Sequence, residues 1–114
     1  MANTFKNVTK SDLVTDAISN STTNVLSVAG NATVILLSSL LSNKTGASVT
    51  VDVYLVTSTG DDIYMVRNAP VPAGSTLELI SNSKIILESS DVIRARCNTS
   101  TAIDMIISYL EQTP

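Results

Sequence analysis

The chain contains no histidine and no tryptophan, and only one cysteine, one phenylalanine and three tyrosines. Each shortage excludes something. Without histidine, the commonest general base and metal ligand is missing. With Cys97 alone, there is neither an intramolecular disulfide nor a cysteine pair for zinc. So few rings supply a carbohydrate-stacking platform poorly. Charge is also scarce, at 15% of residues with a net value of −3. The cations Lys6, Lys10, Lys44, Arg67, Lys84, Arg94 and Arg96 are scattered, so the concentrated basic stripe that nucleic acid requires is absent. No Gly-rich phosphate loop or nucleophile elbow occurs. The longest apolar block, "VILLSSLLS", is too short to span a membrane and carries serines. The opening "MANTFKNVTKSDL" lacks the apolar core of a secretion signal. These absences lead us to expect a soluble protein made in the cytosol. It should have no cofactor, no metal, no nucleic-acid or membrane partner, and no enzymatic activity.

What is abundant is apolar and hydroxyl-bearing. Hydrophobic residues make up 44% of the chain. Serine and threonine make up about a quarter, well above an average soluble protein. That profile suits many short strands with hydroxyl-rich turns. A length of 114 residues fits one domain with a single modest core. Five Asn-x-Ser/Thr sequences, at Asn7, Asn20, Asn31, Asn43 and Asn98, are expected by chance in such a composition.

The clearest element is "ASVTVDVYLVTS", residues 47–58. Val49, Val51, Val53 and Leu55 alternate with Ser48, Thr50, Asp52 and Tyr54, which predicts a half-buried strand with the aliphatic residues inward. "TSTGDD" breaks the pattern, with Gly60 free to take positive φ, and "IYMV" predicts a return strand. The adjacent Asp61 and Asp62 suit a solvated turn, since calcium needs more oxygen ligands at defined spacing. Asp52 and Glu78 likewise suit the polar positions of alternating strands. In "NAPVPAGSTLEL", residues 68–79, two prolines stop strand pairing and Pro72-Ala73-Gly74 has tight-turn chemistry. "STLELI" then resumes alternation, with Leu77 and Leu79 on one face and Thr76, Glu78 and Ile80 on the other. The gap is too short for a linker and predicts a corner. "SVAGNATVILL" echoes "PVPAGSTLELI" around Ala-Gly, which hints at a second corner of the same kind.

Three further strands are expected at the C-terminal end: "KIILE", "DVIRARC" and "AIDMIISYLE". The second places Ile93, Ala95 and Cys97 on one face, making Cys97 a buried, inert thiol, and Arg94 and Arg96 on the other. Those two arginines could clamp carboxylates of a partner. They could equally pair with Asp104 within the chain, or be solvated. The last strand aligns Ile103, Met105, Ile107 and Tyr109. With a weaker strand at "TTNVLSVA", about eight strands result. We therefore expect an all-β, antiparallel β-sandwich of jelly-roll-like type over residues 21–114. Residues 1–20 are expected to form an extended N-terminal arm, with a short helix near 11–18 capped by Ser11 as the alternative.

Residues 32–43 carry apolar side chains on both faces if they form a strand. Strict alternation puts Val34, Leu36 and Leu40 on one side and Ile35, Leu37 and Leu41 on the other. A sandwich core covers one side only. Ile35, Leu37 and Leu41 are therefore candidate contacts of a homo-oligomer, with this strand or the arm at its joint.

The opening "MANTFKN", the Val-rich hairpin, "APVPAGSTLEL", "KIILESSDVIRARC" and the final "AIDMIISYLE" resemble small structural proteins of tailed bacteriophages, notably those infecting cyanobacteria and marine bacteria. Glu88, Asp91 and Ile93 stand for the "E-x-x-D-x-I" segment of that pattern. The resemblance covers roughly residues 20–111. It implies a virion component without catalysis, most specifically a capsid decoration (cement) protein that bridges major capsid subunits or another virion protein, and it favours a trimer. Neck, tail or fibre proteins are the alternatives within a virion, and a small glycan- or receptor-binding module is the alternative outside it.

Overall fold

The computed structural model describes residues 2–10, 23–80, 84–99 and 102–114. All regular structure among them is β. In chain order the strands are β1 (Ala2–Lys10), β2 (Thr23–Ser27), β3 (Thr33–Asn43), β4 (Val49–Val56), β5 (Asp62–Val71), β6 (Thr76–Glu78), β7 (Ile85–Leu87), β8 (Val92–Cys97) and β9 (Ile103–Thr113).

Two antiparallel sheets form. Sheet A has the order β1-β9-β3-β6, with β7 also paired to β3, and sheet B has the order β2-β8-β4-β5. Successive strands alternate between the sheets up to β4, and the long β9 returns beside β1 and β3. With β7 set aside, these are the two four-stranded orders of a jelly roll. The expected β-sandwich is therefore the observed fold, and the strand beyond the expected eight is β1, formed by half of the expected arm. The remainder of that arm, including Ser11 and the alternative helix, lies outside the described residues.

The core fills the space between the sheets. Sheet A contributes Val34, Leu36, Leu41, Leu87, Ile103, Met105, Ile107 and Tyr109, and sheet B contributes Leu26, Val49, Val51, Val53, Ile93, Ala95 and Cys97. The predicted inward row of β4 holds, with Leu55 only half-buried.

Both Ala-Gly corners carry the chain from sheet B to sheet A. Between β2 and β3, the Ala32 N–H donates to the Ala29 carbonyl at 3.1 Å. Between β5 and β6, the Ser75 N–H donates to the Pro72 carbonyl at 3.1 Å, and the Ser75 hydroxyl to the same oxygen at 2.7 Å. Gly74 has φ +67°, which explains a residue without Cβ there. Pairing does not stop at Pro70, as the prolines had suggested. β5 runs through Val71, and Pro70 sits opposite Thr50. β5 is the edge of sheet B, so a missing N–H costs no ladder bond there. Ile80 also departs from expectation. β6 ends at Glu78, and Ile80 turns into the core at 5% exposure.

The buried Asn43 ties this end of the sandwich together. Its Nδ2 donates to the carbonyls of Ala47 at 2.7 Å and Val71 at 2.9 Å, and its Oδ1 accepts from the Thr45 N–H and hydroxyl. An amide so committed leaves nothing for glycosylation at that Asn-x-Thr sequence.

Candidate functional site

The outer face of sheet A is the first candidate. Directly opposed residues of antiparallel strands share a face, so the registers assemble it row by row. Phe5 of β1 opposes Leu110 of β9, which opposes Ile35 of β3, which opposes Ile86 of β7. Four strands thus contribute one continuous apolar row. The next row is hydroxyl- and amide-bearing: Asn7, Ser108, Ser38. Ile106 and Leu40 then stand opposite one another, flanked by Thr9 and Glu78. In these rows Glu78 is the one charged residue, and Asp104 follows in the next row, opposite Ser42, at the same end. Phe5 is 76% exposed, Ile86 63% and Ile106 39%, and Ile35, Leu40 and Leu110 are half-buried. No described residue lies over this face. β1 does not cover it either, because it joins the sheet edge in plane and adds Phe5 to the row.

Of the expected contacts, Ile35 stands in the row and Leu37 is half-buried beside it, but Leu41 is in the core with no exposed surface. The cause is a β-bulge. The β3–β9 register shifts between Leu36 and Ser38, so Leu37 is an extra residue and alternation resets after it. Ser39 and Leu41 therefore point inward and Leu40 outward, the reverse of strict alternation. The reset also leaves the Ser39 hydroxyl buried without a hydrogen-bond partner.

β1 is exposed on both sides. It pairs with β9 residue for residue from Ala2↔Thr113 to Lys10↔Met105. Residues 2–7 and Thr9 are exposed and only Val8 is half-buried. Lys6 Nζ reaches Glu111 Oε1 at 2.7 Å, and that hydrogen bond raises the lysine pKa above its ordinary value.

The outer face of sheet B differs in chemistry. It gathers all three arginines of the chain around two tyrosines. Arg94 opposes Tyr54, which opposes Tyr64, and the two rings lie 5.1 Å apart. The Arg96 guanidinium carbon sits 5.7 Å from the Tyr54 ring and that of Arg67 5.3 Å from the Tyr64 ring, within cation–π range. Arg96 Nε donates to Asp52 Oδ2 at 2.7 Å and Nη2 to the Tyr64 hydroxyl at 3.1 Å. The other Asp52 oxygen accepts from the N–H of Asn68 at 2.7 Å, which holds that residue at φ +52°. Burial opposes the Arg96 charge, but the hydrogen bond and attraction of Asp52 outweigh it, so its pKa is raised.

Arg94 and Arg96 therefore share a face as expected, but the intramolecular carboxylate on Arg96 is Asp52. Asp104 lies in the other sheet and pairs with Lys44 at 2.9 Å. Sequence reasoning missed Arg67, Tyr54 and Tyr64, because only the pairing of β4 with both β5 and β8 brings them together. Asp61 and Asp62 stay at the β4–β5 turn, where the Asp61 carboxylate accepts from the Thr59 hydroxyl. Cys97 is 3% exposed and its thiol donates to the Thr99 carbonyl at 2.9 Å. Burial pushes its pKa up, against the backbone hydrogen bonds of Thr99 and Ala102.

No family model and no curated protein matches the chain. Solved structures do. A chain of Bacillus endospore appendages, which form disulfide-linked pili, is 16% identical with a TM-score of 0.50, over 97% of this chain and 88% of that one. A chain of infectious bursal disease virus, Gx strain, is 11% identical with a TM-score of 0.42, over 96% of this chain but 31% of that one. At such identities the likeness concerns the fold. In the present chain, the one thiol is buried within the sandwich.

Proposed function

We propose that this protein is a structural subunit of a virion, most specifically a capsid decoration protein of a tailed phage. It associates with its own kind through the outer face of sheet A and seats on the shell through the Arg/Tyr face of sheet B. The observation that carries this reading is the uncovered row Phe5–Leu110–Ile35–Ile86, set in a face whose charges are kept to one end. Large exposed side chains on a continuous sheet face are characteristic of contact surfaces. On the second face the exposed Arg67 lies over the Tyr64 ring; tyrosine and arginine dominate binding hot spots, and that guanidinium suits a carboxylate on a capsid subunit. No catalytic step belongs to this role. A glycan-binding module is less favoured, since Tyr54 and Tyr109 are buried and Tyr64 is 37% exposed.

The test is sedimentation of the purified protein, followed by mixing with empty phage shells and imaging them. Oligomers that decorate the shell at fixed sites support the reading. A monomer at high concentration that leaves shells bare overturns it, and density at the neck or tail moves the protein elsewhere in the virion.

A further inference from the structure

We infer that β1 is an exchanged strand, so that in the assembled protein Ala2–Lys10 of one copy completes sheet A of a second copy by pairing with its β9. This rests on the self-association proposed above. The ladder and the ion pair of β1 are both made to β9. Of its residues 2–9, Val8 alone is half-buried and packs against the core. Nothing in that set of interactions distinguishes the β9 of its own chain from that of a neighbour.

The chain between β1 and β2 allows the exchange. Residues 11–22 number twelve and can span at most about 40 Å, against molecular dimensions of 45 × 27 × 21 Å. β1 and β2 lie in contact within one copy, and a connection of that reach also lets β1 pass to a copy beside it. Covalent attachment gives the β1 of the same chain an effective concentration on the order of millimolar, so dilute chains keep β1 at home. Neighbours held together by the sheet A face meet at comparable local concentration, and exchange then competes. Exchange also suits that face. It places Phe5 of one copy beside Leu110 of the next, so the apolar row runs unbroken across the joint. It also leaves no β9 edge open, and an open edge of eleven residues is an aggregation hazard.

The experiment uses cysteine pairs across the ladder, Thr4→Cys with Glu111→Cys and Asn7→Cys with Ser108→Cys. These two pairs alternate in hydrogen-bonding class, so one is of the close kind. The single variants T4C and E111C, and likewise N7C and S108C, are co-expressed, oxidised mildly and resolved on a non-reducing denaturing gel, with the linked peptides mapped by mass spectrometry. The full-length protein with Cys97 as its only thiol serves as control. Disulfides joining position 4 of one chain to 111 of another, or 7 to 108, are expected, and the double variants should give linked multimers. If the double variants close only within one chain while the protein sediments as an oligomer, exchange is refuted and self-association stands. If the protein is a monomer, both fall.

Discussion

Removing the two most exposed members of the apolar row should dissociate the protein without unfolding it. Phe5 is 76% exposed and Ile86 63%. Full burial of such a side chain contributes roughly 1.5–3 kcal/mol. Scaled by the exposed fraction, each offers about 1–2 kcal/mol to a contact. The double variant Phe5→Ser/Ile86→Ser should therefore weaken association by about 2–4 kcal/mol, roughly 30- to 1000-fold in the association constant. Folding should change much less. Neither side chain is in the core, and their cross-strand pairings with Leu110 and Ile35 are each worth about 0.2–1 kcal/mol. Sedimentation velocity over a concentration series measures the first effect, and circular dichroism melting the second. Ile63→Ser is the control, because Ile63 is 52% exposed but lies on sheet B. Equal weakening by the control, or none by the double variant, would refute the assignment of the contact face.

Other expectations follow from the interior. Ser39→Ala removes a buried hydroxyl that has no partner and should stabilise by about 1 kcal/mol, read as a melting temperature higher by several degrees. Asn43→Ala removes the side-chain partner of the Val71 carbonyl and of the Thr45 N–H, while the Thr45 hydroxyl keeps the Ala47 carbonyl as its acceptor, costing about 1–3 kcal/mol in urea unfolding. Gly74→Val meets open space but must adopt φ +67°, so it should cost about 1–2 kcal/mol through backbone strain alone. Burial raises the Cys97 pKa above its ordinary value of 9.0. Its contribution is therefore complete below pH 9 and is lost as pH rises through the folded-state value. Unfolding at pH 8 and pH 10 should show that loss in the native protein and less of it in Cys97→Ala.

Much of the sandwich was legible because its strands alternate cleanly. Val49–Val53, Ile93–Cys97 and Ile103–Tyr109 all face inward as their period of two requires. Legibility ended where two strands had to be compared. A bulge leaves no mark on one strand, since the two serines that follow Leu37 suit either face. The exchange of roles between Leu40 and Leu41 therefore appeared only in the pairing with β9. Sequence neighbours also misled. β8 and β9 adjoin in the chain, which made Asp104 a natural partner for the arginines. In a jelly roll that connection crosses between sheets, so Asp104 went to Lys44 and Arg96 to Asp52, forty-four residues away.

The placement of β1 decides what the two-faced β3 means. An apolar outer face on a central strand must be covered by the arm or by another molecule, and sequence left both possible. An arm lying across the face would have sealed the row and left a monomer with a buried Ile35. Instead Ala2–Lys10 extends the sheet sideways, where it widens the apolar row by one phenylalanine and shields none of it. A strand so placed increases the surface that a second copy can cover. Under the strand exchange proposed above, its ladder also gives that copy a second mode of attachment, by backbone hydrogen bonds rather than by burial. The two modes separate by perturbation. Lys6→Glu sets a like charge against Glu111 within the ladder and leaves the row intact, whereas Ile35→Lys charges the row and leaves the ladder intact. If assembly uses both, each variant should weaken it, and the combined variant should weaken it by about the product of the two effects, because the sites act on different parts of the joint. A combined effect no larger than that of Ile35→Lys alone would mean that the ladder stays within one chain and that the sheet face carries the whole contact.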